Sequence, residues 1–505
     1  MARKTKLLLW AFSFGILFFP FICVCDDSDD APEFTGDVSI EDLNIIEQKP
    51  DFSQYVLRGD LDYEKLLDLL CAIESPLWKS TQIPKGRDPL YLLPYKITAL
   101  EYGGISTSLF FNMTNKMQVS SDSLLDVKII SKQKVTDFLN ELLKSDDGLE
   151  ITAQELSSIV PLLQKITLQE IKAGFFLQGG FVKGPFNIQV NTLCQVAERN
   201  FWLNKRERAE ASSIIQKKFP GGSLDDKELY RLTYGFGDTR VKCGLNTLNM
   251  TDFVVDFGFE GIVPTSRISS KHHMTTVVDI NLDEDNEIIK ETLVNLLRGT
   301  RDLLLEPKLG NGGHFGVGCY IESKIGLFNN LANMWLRFSY NKLFANDEYR
   351  LIMFNNATGR LDKQEVIDLF ITDPTAGKEL ISLFAREFIF PSSFKTSVNP
   401  GGIFNAIVSI SFDVKKMNIA LGYDFYAQQQ ERIEKVYSSS VQMSELRIED
   451  AQIPDIYQHK IFSEALYTKQ YKRSKVGLGL GGDVTAHSKN LGYDWTVYLK
   501  GTASF

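Results

Sequence analysis

The chain has 505 residues, of which 44% are hydrophobic and 24% are charged. This balance excludes an intrinsically disordered chain and a bundle of apolar membrane helices. The formal net charge of -9 argues against a positively charged surface that binds nucleic-acid phosphates, so no nucleic-acid partner is expected. The 35 Phe, 18 Tyr and 36 Gly residues favour β-strands and a membrane interface over a helical enzyme core.

Residues 1–25 predict a secretory signal peptide. Arg3, Lys4 and Lys6 form a basic region, and an uncharged apolar run follows over residues 7–22. The run is short for a membrane-spanning helix, which needs about 20 apolar residues. The layout therefore predicts export and cleavage after Cys25. A lipoprotein signal and an uncleaved anchor are the alternatives.

Residues 26–89 predict an acidic lead-in followed by short helices, the first of which Ser39 can cap. From residue 90 the period of apolar residues changes to two, which predicts strands. Residues 90–505 are therefore predicted to form an all-β, antiparallel transmembrane barrel. Apolar residues return to helical spacing in four places, which predicts helical insertions near 131–172, 200–218, 285–306 and 362–388.

Alternating segments recur between the predicted insertions. Along residues 253–260 one face is aromatic or aliphatic, whereas the other carries Asp256, Gly258 and Glu260. The same pattern occurs in 186–194, 314–322, 333–341, and in 406–412 and 417–426, which a tight turn at Lys415 and Lys416 joins. A half-exposed soluble sheet also alternates. Here one face is repeatedly aromatic and the other is repeatedly Gly, Asn, Ser or charged, which favours a barrel with lipid outside and water inside.

The chain ends in the residues GYDWTVYLKGTASF, which alternate up to a terminal aromatic. The apolar face of this segment is the candidate insertion signal, formed by Phe505, Ala503, Leu499, Val497 and Trp495. It resembles the last strand of Gram-negative outer-membrane β-barrel proteins of the porin and hydrophobic-substrate transporter class, which typically ends in Phe. The resemblance implies that the barrel-assembly machinery reads this strand, and that the strand closes the barrel against the first one.

A shorter resemblance lies in residues 235–241, GFGDTRV. They look like the G-x-G-D strand opening of some outer-membrane barrels of the hydrophobic-substrate transporter type. The motif is too short to assign a specific family, and a glycine-rich entrance to a strand is the alternative interpretation.

Charged residues on the predicted inner face are the candidate lumen-lining residues. They could set the ion preference of a pore, or they could satisfy one another inside a filled barrel. The set comprises Asp238, Arg240, Lys242, Asp256, Glu260, Glu322 and Arg337.

Motifs for enzyme chemistry are missing from the predicted mature chain. It has no G-x-S-x-G, H-E-x-x-H, Walker loop or C-x-x-C sequence. We therefore expect no enzymatic activity, no catalytic or metal-binding residues and no cofactor. Three cysteines fall in the apolar phase of predicted strands, where a Cys behaves as a small hydrophobe facing lipid. We expect free thiols at Cys194, Cys243 and Cys319.

Together these patterns predict an outer-membrane β-barrel of roughly 12 to 16 strands in a Gram-negative-type bacterium. Its expected partners are outer-membrane lipid and the barrel-assembly machinery. The favoured function is passage of small molecules across the outer membrane. The alternatives are a structural or surface-attachment barrel with a closed lumen, and a secreted soluble β-rich protein. The substrate, the state of the lumen and the oligomeric state stay open at this point.

Overall fold

A computed structural model describes residues 103–118, 167–201, 230–250, 253–266, 307–327, 331–355, 392–439, 441–472 and 474–505, together with Arg87, Tyr91, Ala209, Leu305, Thr372 and Asp373. All of them belong to one compact unit, residues 56–505. The predicted signal peptide lies outside the described residues, and so does the acidic lead-in apart from Arg87.

The described residues are mostly β-strand. In chain order the strands are β1 (Gly103–Gln118), β2 (Thr167–Lys183), β3 (Phe186–Phe201), β4 (Tyr230–Phe236), β5 (Thr239–Met250), β6 (Phe253–Val263), β7 (Gly316–Leu327), β8 (Ala332–Leu343), β9 (Asn346–Ile352), β10 (Ser392–Asn399), β11 (Ile403–Val414), β12 (Met417–Gln428), β13 (Arg432–Val436), β14 (Ile456–Tyr471), β15 (Ser474–Lys489) and β16 (Tyr493–Ser504). Two short 3-10 helices, Met443–Glu445 and Glu449–Ala451, follow β13.

Twelve of these strands close into an antiparallel barrel, which confirms the predicted fold class. The order around the ring is β1-β2-β3-β5-β6-β7-β8-β11-β12-β14-β15-β16, and β16 pairs back onto β1. The C-terminal half of β3, from Cys194 to Asn200, pairs with β4. The N-terminal half, from Phe186 to Asn191, pairs with β5. The expected tight turn at Lys415 and Lys416 joins β11 to β12.

The seam between the last and first strands closes the ring as predicted. β16 pairs with β1 from Ser504 opposite Gly104 to Tyr493 opposite Asn115. Beyond the last pair, the backbone N–H of Phe505 donates to the carbonyl of Gly103 at 3.2 Å. Closure matters because an open sheet edge would leave unpaired backbone groups in hydrocarbon, at several kcal/mol each.

The barrel buries polar side chains in its interior and exposes apolar side chains on its outer face, which is the reverse of a soluble β-sandwich. On β1 the side chains of Ser106, Ser108 and Asn112 are buried in the interior, whereas Ile105 and Leu109 are about half exposed on the outside. The same alternation continues around the ring, with aromatic and aliphatic side chains outside. A closed barrel with an apolar exterior and a polar interior is the arrangement that a bilayer requires.

The two ends of the barrel differ in the length of their connections. At one end, short segments join neighbouring strands: residues 184–185, 251–252, 328–331, 415–416 and 472–473. The barrel begins with β1 and ends with β16 at this same end. At the other end, most connections are long, and that end is called the long-loop end below.

Three strands continue past the long-loop end into a small second sheet. β9, β10 and β13 extend β8, β11 and β12 in the same spatial order. This sheet has its own apolar core, which includes Ile352, Val398 and Ile433. The segment with the two 3-10 helices closes over it, where Phe354 pairs with Leu446. The sequence patterns did not predict this sheet, because its strands are too short to alternate clearly.

The predicted helical insertions fall largely outside the described residues. Where they overlap described strands, the strand extends further than predicted: residues 167–172 belong to β2 and residues 200–201 to β3. The physical reason is an ion pair across these strands, since Glu170 lies opposite Arg199 and both side chains are buried. Elsewhere in the predicted insertions, the backbone is helical at Ala209, Leu305 and Thr372.

Candidate functional site: the barrel lumen

Six of the seven candidate lumen-lining residues lie on four neighbouring strands of one wall. Lys242 of β5 is opposite Glu260 of β6. Further along, Asp256 is opposite Glu322 of β7, and Glu322 is opposite Arg337 of β8. Arg240 lies two residues before Lys242 on the same strand. The structure therefore brings these charges together.

Glu260 is the centre of this cluster. It is 2% exposed, and its carboxylate forms a close ion pair with Arg337. The Nδ2 atom of Asn341 donates to its second oxygen at 3.1 Å, and Lys242 Nζ lies 3.8 Å from the first. At the end of the cluster where the side chains are only partly buried, the indole N–H of Trp335 donates to the Glu322 carboxylate at 2.8 Å. The acidic and basic side chains of the cluster thus pair with one another, as expected for a filled barrel.

Asp238 is separate from this cluster and organises the long-loop end. Its carboxylate accepts hydrogen bonds from Ser266 Oγ at 2.6 Å and from the backbone N–H of Asn311 at 2.7 Å. The preceding Gly237 donates its N–H to the Leu193 carbonyl at 2.9 Å, so close that a Cβ there would meet the Leu193 side chain at 2.8 Å. The GFGD residues thus form the junction between β4 and β5.

Residues 307–314 fold inwards from the long-loop end and are called the inward loop. The amide of Gln195, which faces the interior from β3, donates to the Leu309 carbonyl at 2.8 Å. Asn311 is held by Asp238 as described above. Leu309 is buried, and a Cβ on Gly235 would lie 2.9 Å from its side chain. The inward loop therefore narrows the lumen entrance.

A buried charge network ties the inward loop to the small sheet. His314 contacts the Phe344 carbonyl through Nδ1 at 2.8 Å and Glu348 Oε1 through Nε2 at 2.5 Å. Glu348 also pairs with Arg350 at 3.0 Å and with Lys308 at 3.9 Å. Burial alone would raise the pKa of Glu348, but Arg350, Lys308 and His314 outweigh it and hold that pKa well below its ordinary range.

The opposite wall carries ion pairs that the sequence patterns did not single out. Lys460 of β14 bonds to Asp483 of β15 at 2.8 Å and to Asp494 of β16 at 2.6 Å. Nearby, Lys500 pairs with Glu464 at 3.1 Å. Period-two alternation places each of these residues on the inner face. Which residues meet depends on the register between strands, which alternation does not reveal.

Two side chains from ahead of β1 lie inside the barrel. Arg87 pairs with Asp424 of β12 at 2.7 Å, and its Nη1 donates to Gln458 of β14 at 3.4 Å. The Tyr91 ring lies 5.3 Å from the ring of Tyr426 on β12. The Arg240 guanidinium of β5 lies 4.3 Å from the centroid of the same Tyr91 ring. This part of the chain thus contacts opposite walls.

The residues of the candidate insertion signal lie on the outer face of β16. Val497, Leu499 and Phe505 are exposed there, and the Trp495 ring packs 5.5 Å from Phe111 of β1. Their position places apolar side chains along the seam that closes the barrel. Whether the assembly machinery reads them stays a prediction.

The three cysteines lie on different strands, and none of them is in a disulfide. Cys243 of β5 and Cys319 of β7 lie on either side of Phe259 in the intervening strand. Cys194 lies opposite Phe175 on one side and Phe236 on the other. Each cysteine therefore has aromatic side chains as cross-strand neighbours.

The part of the chain that the structure describes contains no group of three or more His, Cys, Asp or Glu side chains arranged for a metal ion. Within the same residues, no helix is long and apolar enough to cross a membrane.

Comparisons with known proteins leave the family unassigned. No family model matches the chain, and no curated protein matches it. Among solved structures, it is similar to an outer-membrane channel from Pseudomonas putida F1, with 9% identity, 81% of this chain and 98% of that chain covered, and a TM-score of 0.41. It is also similar to the Ralstonia pickettii toluene transporter TbuX, with 6% identity, 83% and 92% covered, and a TM-score of 0.33. A third similar structure is the transport unit of the Escherichia coli autotransporter AIDA-I, with 7% identity, 83% and 95% covered, and a TM-score of 0.32.

Proposed function

We propose that this barrel is an outer-membrane channel for small molecules, and that Arg87 and Tyr91, which precede β1, close its lumen at rest. One observation carries the proposal. Tyr91 lies between Arg240 of β5 and Tyr426 of β12, while Arg87 reaches Gln458 of β14. β5 and β14 face each other across the ring, with five strands between them on either path.

The size of the barrel supports a channel that needs closing. An eight-stranded barrel is filled by its own side chains, whereas barrels of 16 to 18 strands leave an aqueous channel. Twelve strands lie between these limits, so the interior has room that another segment can occupy. Arg87 and Tyr91 themselves lie outside the strands of the ring.

The unequal ends of the barrel support a particular orientation. Outer-membrane barrels have short periplasmic turns and longer external loops. In this orientation the long-loop end, with the inward loop and the small sheet, faces the exterior. The apolar outer face then contacts outer-membrane lipid, and β16 is the strand presented to the barrel-assembly machinery.

A second candidate function is a structural barrel with a permanently closed lumen. It is favoured by the ion pairs of the interior, because buried charges that satisfy one another leave no selective row of free charges for a permeating ion. In the described interior, each of these carboxylates has a cationic partner: Glu170, Glu260, Asp424, Glu464, Asp483 and Asp494.

Single-channel recording in planar bilayers separates the two candidates. The full-length protein should conduct rarely, and the Arg87→Ala and Tyr91→Ala variants should open more often. Tyr471→Ala is the matched control, because Tyr471 is an exposed aromatic at the end of β14. If the wild-type protein and both lumen variants never conduct, the closed structural barrel is the correct function. A soluble, detergent-free monomer would rule out both.

A further inference from the structure

Two histidines lie side by side on the outer face near the long-loop end. His459 of β14 is directly opposite His487 of β15, and their ring centroids are 5.8 Å apart. They are two of the five histidines in the chain. Neither contributes to the lumen, so the proposed channel function does not account for them.

A β-bulge in β15 brings the two rings together. Asp483 and Thr485 face the interior and are buried, so unbroken alternation would turn His487 inwards as well. Instead, Thr485 lies opposite Lys460 and His487 lies opposite the adjacent His459. Ala486 is therefore an extra residue in β15. Bulges of this kind re-aim the side chains that follow them, and this one directs His487 outwards beside His459.

Aromatic neighbours hold the histidine rings in place. The Tyr423 hydroxyl bonds to Nδ1 of His459, which leaves Nε2 of that ring for a ligand. The Tyr457 hydroxyl lies 3.4 Å from Nε2 of His487. The Phe425 ring packs 4.9 Å from His459, and the Tyr457 ring packs 5.5 Å from it. A hydrogen bond to the non-ligating nitrogen is the arrangement that orients metal-binding histidines.

We propose that His459 and His487 bind one divalent transition-metal ion on the outer wall of the barrel. Two imidazoles on one tetrahedral metal, with metal–nitrogen bonds of about 2.0–2.1 Å, have ring centroids roughly 5 Å apart. The observed 5.8 Å is close to that separation. Imidazole ligands suit Cu²⁺, Ni²⁺ and Zn²⁺, of which Cu²⁺ binds tightest, and they disfavour Ca²⁺ and Mg²⁺. Water completes the coordination.

The site would join β14 to β15 where both strands reach the membrane surface. A ligand that binds only the folded state raises the stability of that state. Metal binding should therefore raise the temperature at which the barrel unfolds. This consequence does not depend on whether the lumen conducts.

A Cu²⁺ titration of the full-length protein in detergent tests the site, with affinity from calorimetry and nitrogen ligation from electron paramagnetic resonance. The wild-type protein should bind one ion with two imidazole nitrogens. Loss of a hydrogen bond that supports a metal ligand lowers metal affinity roughly 10–100-fold. Tyr423→Phe should weaken Cu²⁺ binding within this range. His459→Gln and His487→Gln, which each remove a ligand, should weaken Cu²⁺ binding at least as much. The double variant His272→Gln, His273→Gln is the control and should bind as the wild type does.

Deletion of Ala486 gives a second test, because it removes the bulge and places His487 directly after Thr485, so that ordinary alternation still directs His487 outwards opposite His459. Its Cu²⁺ affinity should therefore stay near that of the wild type, and a loss as large as that of His487→Gln would contradict the paired site. Heat-modifiable gel mobility reports whether each variant folds, and the two exposed histidine substitutions decide the question if the deletion does not fold. Equal Cu²⁺ affinity in the wild type and both histidine variants would overturn the proposal, since the ion would then bind elsewhere.

Discussion

Neutralising Glu260 distinguishes a filled lumen from a water-filled one. The carboxylate is 2% exposed and contacts Arg337, Lys242 and Asn341. Glu260→Gln keeps the size of the side chain but leaves two buried cations without their shared counter-charge. Removing one partner of a buried ion pair costs about 3–5 kcal/mol, whereas an exposed pair is worth about 0–1 kcal/mol. We therefore expect Glu260→Gln to lower the free energy of unfolding by about 3–5 kcal/mol.

The measurement is a urea titration of the barrel in lipid vesicles, followed by heat-modifiable gel mobility. Glu322→Gln is the matched control, because Glu322 lies in the same cluster but is only partly buried, and it should lose less. The double variant Glu260→Gln, Arg337→Gln should recover part of the loss, since it removes one of the uncompensated cations. A loss below about 1 kcal/mol for Glu260→Gln would refute the filled lumen, because water would then be screening the charge.

The remaining predictions concern the outer face, the chain end, the cysteines and acid stability. Phe257→Arg places a charge in lipid and should cost about 2–4 kcal/mol if it lies near the midplane; an unchanged urea midpoint would mean that this face does not contact lipid. A chain lacking Phe505 should fold in detergent micelles, since burying one Phe is worth only about 1.5–3 kcal/mol, yet accumulate unassembled in cells; normal membrane fractionation would remove the recognition role. Because surrounding cations hold the pKa of Glu348 low despite its burial, its stabilisation is complete above the ordinary value of about 4.3 and is lost as the pH falls below it. Hydrogen exchange in β9 and β10 should therefore rise in acid for the wild type and change less for Glu348→Gln; equal acid responses would contradict this. A non-reducing mass map should find no disulfide among Cys194, Cys243 and Cys319.

Local patterns were enough to predict the barrel and the facing of its strands. Alternation along residues 253–260 placed Phe257 outside and Glu260 inside, as the structure has them. The alternating C-terminal residues predicted the strand that pairs with β1. These predictions succeed because the side chains of a strand point alternately to its two faces. The candidate lumen residues could be assigned to a face in the same way, but their partners could not be named.

What only the tertiary structure decided depends on contacts between distant parts of the chain. Lys460 meets Asp494 across an intervening strand, and Arg87 meets Asp424 from ahead of the barrel. Strand order and register determine such pairs, and neither is encoded in the period of one strand. The extra residue Ala486 breaks that period, so alternation alone would have placed His487 in the lumen. By itself the sequence thus determined the face of residues in regularly alternating strands. The closed ring of strands, with the bulge in β15, determined the face of His487 and which side chains meet.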